Sequence, residues 1–541
     1  MNNTAAQQLL LRKNRNNNKI KLRRQKYKEN TKKREEEDER LNIILFYADD
    51  WTMKVLGKLD PHQIVKTPNI DEMADNGMIF TNNCVTTSVC WVSRSTLCTG
   101  TYSNIHKHTL PFSDATFETT NWNKTLYPKM KNNYDTNLYK NGYYTGLFGK
   151  WHKLEIGDEI QEAFHEQKVY YGKHWEERDG QQRHVTDLNR DDSIEFLDKW
   201  NDRRRQEQHK THNKNQQPFF LTVSFFATHA RDGGGKGWEF YQPHNNTRTR
   251  MYPDGSKDIP LPKTATEQHF KQLPPFLANY GNEGRMRWRN RYEPKDYQKN
   301  IKDMYAMATE VDDAVGTIIQ HIKNLQVYNN TVLIFTTDNG NMHGEHGLAE
   351  KWYPFEESIR VPLVIQDPRM PTHRHGTTSD AWTLNVDLAP TILGAANIEP
   401  ASFMQGLLSN IEMKKKVHWR TDWFYEFNLG QNSNASDHPW PNYIDASFAL
   451  ITDHWKYVIW PQHDGYEQLF HRSMDPYEEW DLLNKLLRNQ TRPSSSSSSN
   501  NTSDSDGDNS VMNIQTTEKI YQQMKIRFAI LKQEAQGGNL I

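Results

Sequence analysis

Asp49-Asp50, Lys150-Trp151-His152, His229 and Asp338-Asn339-Gly340 each stand directly after a short apolar run. Two adjacent carboxylates and an Asp-Asn pair supply hard oxygen donors, a set suited to Ca²⁺, with Mg²⁺ as the alternative, rather than to zinc. Alone, an acidic dipeptide is most often a cap or a solvated turn, and Asp-Asn-Gly is a good turn sequence. Their shared position is what singles them out. Two lysines, Lys150 among them, and an arginine add cations, and His152 and His229 add groups that carry protons. Cations beside a divalent ion neutralise the non-bridging oxygens of a small tetrahedral oxyanion, while histidines serve its nucleophile and leaving group. Phosphate and sulfate esters both meet that description.

The elements that must position these residues read as a mainly parallel α/β sheet. Leu41–Ala48, Tyr144–Gly149, Phe219–Phe226 and Thr331–Thr336 are apolar runs of strand length. Unbroken runs of this kind suit strands covered on both faces. In open α/β sheets ligands bind beyond the carboxyl ends of the strands, so the four polar clusters are expected to converge. Thr67-Pro68-Asn69-Ile70-Asp71 opens a helix with Pro68 at its first position and Gly77 just past its end. Ile301, Tyr305, Ala308, Val311, Val315, Ile318 and Ile322 keep the spacing of one long amphipathic helix. From Ser447 to Leu482 the pattern changes to short aromatic strands, which predicts a small antiparallel C-terminal subdomain with a boundary near residue 430. Ile520, Met524, Phe528 and Leu531 predict a terminal helix that docks back onto the body.

Composition narrows the classes. No apolar run approaches the ~18 residues of a membrane span. Sixteen Trp, 24 Tyr and 22 Phe exclude a wholly disordered chain, and three cysteines cannot build a disulfide framework. The net charge of −1 is a cancellation: residues 1–40 carry 13 Lys/Arg against 6 Asp/Glu, and the remainder 54 against 62. The opening segment reads as a disordered basic arm, and Pro493–Ser510, with six consecutive serines, as a flexible Ser/Asp-rich insertion.

One stretch decides between the esters. Cys90-Trp91-Val92-Ser93-Arg94, followed by Leu97-Cys98-Thr99-Gly100, resembles the first signature of the sulfatase family. Gly142-Tyr143-Tyr144-Thr145-Gly146-Leu147-Phe148-Gly149-Lys150-Trp151-His152 is similar to the second. Thr67–Asp71, Gly344-Glu345-His346-Gly347-Leu348, Glu357–Pro362, Asp387–Thr391 and Asp453–Tyr457 are similar to further landmarks in the family's order, so the resemblance spans about residues 41–485. It implies an alkaline-phosphatase-like α/β fold, with a catalytic domain over 41–430 and a smaller C-terminal antiparallel subdomain over 431–541 that contains the 493–510 insertion.

The resemblance also implies roles. Cys90 is converted to formylglycine by a formylglycine-generating enzyme and serves, hydrated, as nucleophile. Asp49, Asp50, Asp338, Asn339 and the modified Cys90 hold a Ca²⁺-like ion. Arg94 steadies the formylglycine, Lys150 and Lys351 contact sulfate, His152 is the base, and His229, helped by Lys351, the acid. The sequence departs from the family at Val92, where proline is usual, at Thr101, where arginine is common, and in Ala227-Thr228-His229-Ala230, where the family usually has prolines flanking the histidine. A phosphomonoesterase or phosphodiesterase of the same superfamily, and a non-catalytic carbohydrate-binding homologue, are the competing readings.

For the substrate, Arg285, Arg287, Arg289 and Arg291 alternate with large side chains. In an extended segment they would point to one side and suit a sulfated polysaccharide; a solvated loop explains them equally well. No recognition motif supports nucleic acid. The resemblance implies a secretory or extracellular protein, with which Asn123-Lys124-Thr125, Asn245-Asn246-Thr247 and Asn329-Asn330-Thr331 agree, although no signal peptide is visible.

Overall fold

The computed structural model describes residues 40–106, 138, 142–151, 164–170, 172–211, 217–231, 237–406, 419–428, 444–484 and 514–537. His152, nearly all of the basic arm and the Ser/Asp-rich insertion lie outside them. The large sheet has eight strands: β1 (Asn42–Ala48), β2 (Met78–Phe80), β3 (Tyr144–Gly149), β4 (Glu166–Val169), β5 (Phe219–Ser224), β6 (Thr331–Thr337), β7 (Leu363–Gln366) and β8 (Thr377–Ser379). They lie in the order β8-β2-β7-β6-β1-β5-β3-β4. Only β7 runs against its neighbours. The expected mainly parallel α/β sheet is therefore present.

Alternation along β1 explains why its apolar run is unbroken. Ile44, Phe46 and Ala48 pack on one face with Leu333, Phe335, Leu221 and Val223. That face is covered by helix α1 (Pro68–Asp75), by α3 (Val185–Thr211) through Phe196 and Leu197, and by the long α6 (Pro294–Asn324). Ile43, Leu45 and Tyr47 face the other way, against Val332, Ile334, Leu388, Ile392 and Leu97 of α2 (Cys90–Thr99). A strand buried on both sides has no polar face to show.

Register brings the four polar clusters to one level. Tyr47 pairs with Ser224 and with Thr336, Ser224 pairs with Gly149, and Ala48 pairs with Thr337. The residues that follow, Asp49, Lys150, Phe225 and Asp338, therefore leave the sheet side by side.

The C-terminal sheet is an antiparallel meander of β9 (Asp422–Phe427), β10 (Ser447–Thr452), β11 (Trp455–Trp460) and β12 (Tyr466–His471). Its first strand lies on the N-terminal side of residue 430. One face, through Trp423, Tyr425 and Ile451, packs on Val85, Val89 and Trp352 near the start of α2. The other, through Phe424, Phe448 and Tyr457, is covered by α7 (Ile514–Ala535), whose Met524, Phe528 and Leu531 supply the contacts. Among the described residues no helix is long and apolar enough to cross a membrane.

Candidate active site

Asp49 and Asp50 are fully buried where β1 ends. Asp50 has φ +59°, a left-handed turn that sends the two carboxylates in different directions. Asp49 Oδ2 is bound by Lys150 Nζ, and Arg94 Nη2 approaches the same oxygen at 3.3 Å. Asp50 Oδ1 accepts from Lys351 Nζ and from Asn339 Nδ2, both at 2.6 Å, and Oδ2 accepts from Asn341 Nδ2 at 3.2 Å. Asp338 Oδ2 takes Arg94 Nε at 2.8 Å and Nη2 at 2.6 Å. Lys150 reaches its place because Gly149 turns the chain at φ +108°; a Cβ there would meet Ser224 O at 1.9 Å.

Cys90 is the first residue of α2 and 7% exposed. Its thiol lies in the field of Lys150, Lys351, Asp49 and Asp338. Burial pushes the thiol pKa up despite both lysines, so as a plain cysteine it stays protonated and weakly nucleophilic. His229 sits in the turn after β5, its ring stacked on Phe226 at 5.2 Å. Its Nδ1 is 2.6 Å from Ala230 O, and a carbonyl only accepts, so Nδ1 carries a proton. Thr228 holds this turn to β1 by donating to the Asp49 carbonyl and accepting from the Trp51 indole at 2.9 Å.

The electrostatics are those of a site built for more positive charge. Burial raises the Asp50 carboxyl to about 7, with Asp49, Glu350 and Asp338 adding to the effect against Lys351. Burial acts on Asp49 too, but Lys150, His229, Lys351 and Arg94 together hold it below the usual carboxylate range. Burial also works against the ammonium groups, and Asp49 for Lys150 and Asp50 for Lys351 outweigh it, so both stay charged.

Two buried oxygens, Asp49 Oδ1 and Asn339 Oδ1, have no hydrogen-bond partner among the described residues. Acceptors left bare in a dry site are costly unless a cation meets them, so the residues present fit a divalent ion. A His229 ring nitrogen comes within 4.8 Å of an oxygen of Asp49 and of Asp50, so the donors here are not oxygens alone, as the sequence had suggested.

Of the residues singled out in the sequence, Asp49, Asp50, Cys90, Arg94, Lys150, His229, Asp338, Asn339 and Lys351 meet at this one place. His152 lies outside the described residues. Sequence reasoning missed Asn341 on Asp50, Ser224, whose hydroxyl takes Arg94 Nη1 at 2.6 Å, and Tyr47, whose ring lies 4.7 Å beneath Arg94. Asn341 and Ser224 had a positional signal, standing beside or at a strand's carboxyl end.

The arginine-rich stretch is not extended. Asn282 caps a helix, α5 (Glu283–Arg291), by accepting from Arg285 N. Helical turn spreads its arginines round the axis, and most are used internally. Arg287 and Arg291 pair with the buried Glu350, and Arg285 lies over Phe270 and Trp288 and donates to Gly347 O. The one-sided cationic row is thereby corrected.

The sulfatase family model matches residues 41–398, and the model of the N-sulphoglucosamine sulphohydrolase C-terminal region matches 344–494. Curated relatives include an N-acetylglucosamine-6-O-sulfatase of Bacteroides thetaiotaomicron, 24% identical over 492 residues, with 83% of this chain and 83% of that protein covered. An arylsulfatase of Clostridium perfringens is 24% identical over 499 residues, covering 82% of this chain and 90% of its own length. Among solved structures, a protein in complex with its substrate D-glucosamine-2-N,6-O-disulfate superposes with a TM-score of 0.64 at 19% identity, covering 92% of this chain and 98% of its own. The phosphonate monoester hydrolase of Agrobacterium radiobacter follows at 0.61 and 21%, with 84% and 93% covered. At these identities the structural likeness is one of fold.

Proposed function

The chain belongs to the sulfatase family, and we propose that it removes sulfate from an alcohol or sugar ester, with a sugar favoured, using formylglycine made from Cys90 and a divalent cation. The observation that carries this reading is the pair of bare oxygens, Asp49 Oδ1 and Asn339 Oδ1, facing a site that already holds two lysines and an arginine. Asp49, Asp50 and Asp338 balance Arg94, Lys150 and Lys351 in formal charge. Asp49, Asp50, Asp338 and Asn339 would hold the dication, Ca²⁺ being best suited to their oxygens, and it would leave the site net positive and supply a Lewis acid toward sulfate. His229 stands within reach of the same place.

Formylglycine, when hydrated, offers one hydroxyl to attack sulfur and a second whose deprotonation releases sulfate, which a thiol does not. The chain's own groups do the rest. Lys150 and Lys351 neutralise the non-bridging oxygens as charge shifts onto them. Arg94 fixes Asp338 and Asp49 so that the oxygens facing the cation cannot turn away. His229 Nε2 delivers a proton to the departing alcohol oxygen, and we assign His152, two residues beyond Lys150, as the base.

The sugar class is supported by relatives named as N-acetylglucosamine-6-O-sulfatase, ulvan-active sulfatase and N-acetylglucosamine-6-sulfatase. We further propose maturation by a formylglycine-generating enzyme in the secretory route, for a secreted or extracellular protein. N-terminal sequencing of the mature protein from its native source tests that location.

The decisive experiment treats the native protein with a carbonyl reagent, digests it and weighs the Cys90 peptide, alongside turnover of 4-nitrophenyl sulfate and N-acetylglucosamine-6-sulfate. A carbonyl-labelled peptide together with sulfate release is the expected result. Active protein with only unmodified cysteine at position 90 would sink the mechanism. Release of phosphate but not sulfate from matched esters would favour the phosphatase reading.

A further inference from the structure

A second group of metal-ligating side chains lies outside the active site, where three separate elements meet. His184 ends the strand Gln181–His184, His244 is the residue before helix α4 (Asn245–Met251), and Glu310 lies in the middle of α6. His184 is fully buried and Glu310 is 6% exposed. His244 Nδ1 is 3.2 Å from Glu310 Oε1, and His184 Nδ1 is 3.6 Å from Glu310 Oε2. One donor atom from each of the three residues falls within 4.8 Å of the other two.

These separations are those of a metal shell. Ligands bonded at roughly 2.0–2.1 Å in a tetrahedron stand about 3.3 Å apart. The tautomers are also set for it. Asp187 Oδ2 lies 3.0 Å from His244 Nε2, a carboxylate that fixes the proton on Nε2 and turns Nδ1 toward Glu310. A carboxylate behind a ligating histidine is the usual outer support of such sites.

His184 Nδ1 accepts a long hydrogen bond from Thr186 N at 3.3 Å, so it bears a lone pair and no proton. It therefore faces a carboxylate oxygen, acceptor against acceptor, in a buried place. Glu310 Oε2 has no hydrogen-bond partner among the described residues.

We propose that His184, His244 and Glu310 form a structural site for Zn²⁺, separate from the catalytic cation, with water as fourth ligand on the exposed side of His244. Two imidazoles and one carboxylate suit zinc better than Ca²⁺. The site's effect is mechanical. The hairpin Trp175–Arg178/Gln181–His184 begins beside His174, whose ring lies 6.3 Å from that of His184. His174 Nε2 donates to His229 O at 2.9 Å. An ion here would clamp the hairpin to α4 and α6, and through His174 steady the turn that carries His229.

The test uses the full-length protein, dialysed into metal-free buffer after exposure to zinc, with bound zinc counted by mass spectrometry and Co²⁺ used as a visible-absorbing substitute. The variants are His244→Gln, Glu310→Gln and Asp187→Asn, with Asp50→Asn as the control that disables the catalytic ion. One equivalent of zinc, kept in Asp50→Asn and lost in His244→Gln and Glu310→Gln, is the expected result, with tetrahedral Co²⁺ bands following the same pattern. Asp187→Asn, which retains all three ligands, should weaken zinc by roughly 10- to 100-fold. Zinc content equal in all four variants, or lost only in Asp50→Asn, would overturn the site. In that case His244 is an imidazolium held between Asp187 and Glu310. Because zinc is counted rather than turnover, failure here leaves the sulfatase reading untouched.

Discussion

Arg94 and Asp338, 244 residues apart, are joined by a hydrogen bond from Nε and an ion-pair contact from Nη2, both to a single carboxylate oxygen. The same guanidinium reaches Asp49 Oδ2, Ser224 Oγ and the Lys150 carbonyl, so it ties helix α2 to the ends of β1, β3, β5 and β6 at once. Arg94→Ala should cost about 3–5 kcal/mol of stability, because it leaves Asp338 buried and unpaired. Arg94→Lys keeps the charge but cannot fork, so it should recover only part of that stability and little turnover. Urea unfolding midpoints and kcat of the two variants check this. Equal stability in Arg94→Ala and the parent would show that the pair is not what holds the strand ends together.

Cys90 should matter to chemistry and hardly at all to folding. It is a small side chain at the first turn of α2, and the neighbours that pack that turn are Val89 and Val92. Cys90→Ala should unfold within about 1 kcal/mol of the parent, while sulfate release falls by at least on the order of 10³-fold. Residual turnover close to the parent's would mean that another group attacks sulfur.

Removing the cation should loosen the strand ends as well as stop turnover. Asp49, Asp50 and Asp338 then have Arg94, Lys150 and Lys351 as their ion-pair partners, and the oxygens Asp49 Oδ1 and Asn339 Oδ1 go unmet. Calcium restored at 100 times its Kd should return about 2.7 kcal/mol of stability together with activity. Asp50→Asn should show neither response. A parent protein whose melting temperature ignores both chelator and calcium would argue against a resident ion.

Much of this site could be read from the sequence because each polar cluster follows its strand directly. Apolar runs predict where β1, β3, β5 and β6 end, and parallel register then makes Asp49, Lys150 and Asp338 neighbours. Lys351 came only through resemblance, since no strand precedes it and its place depends on the turn at Glu350, φ +67°. Arg285 to Arg291 misled for a related reason. Alternation of charged and large residues is compatible with a strand, and what decided for helix was the Asn282 cap, together with partners at Glu350, Phe270 and Gly347 far along the chain. The His184, His244 and Glu310 cluster carries no spacing signal, because a strand end, a cap and a mid-helix residue meet only in three dimensions.

Acid should destabilise the fold through buried neutral histidines, and His346 is the clearest. Its ring stacks on Phe355 at 4.3 Å and its Nε2 lacks a hydrogen-bond partner among the described residues. Burial depresses its pKa to about 4 against the pull of Glu345. The unfolded chain takes up this proton near pH 6.5, whereas the native chain refuses it until about pH 4, so stability falls as pH drops through that window. The full cost below it is roughly 3 kcal/mol. His346→Asn, which tolerates the φ of +54°, should flatten the slope of stability against pH between 6.5 and 4 by about one proton. Thermal melts across that range measure it, and an unchanged slope would mean the ring is not the titrating group.

The arginines of α5 should separate into scaffold and surface. Arg291 is 2% exposed, lies 4.5 Å from the Phe240 ring and pairs with Glu350, the residue before Lys351. Glu350 in turn takes Arg287 at 3.0 Å, and its carbonyl accepts from Met342 N at 2.7 Å, so the two arginines hold the segment from which Lys351 reaches Asp50. Arg291→Met leaves the buried Glu350 carboxylate to Arg287 alone; it should cost up to about 3 kcal/mol, and it should lower kcat because Lys351 is displaced. Arg289 lies over the exposed Tyr280 ring at 3.3 Å and touches nothing in the site. Arg289→Ala should leave stability within about 0.5 kcal/mol of the parent, with KM on a sulfated polymer changed less than about twofold. A large rise in KM for Arg289→Ala, with kcat preserved, would restore the arginine row as a substrate surface. A fall in kcat confined to Arg291→Met would instead fix α5 as the support behind Lys351.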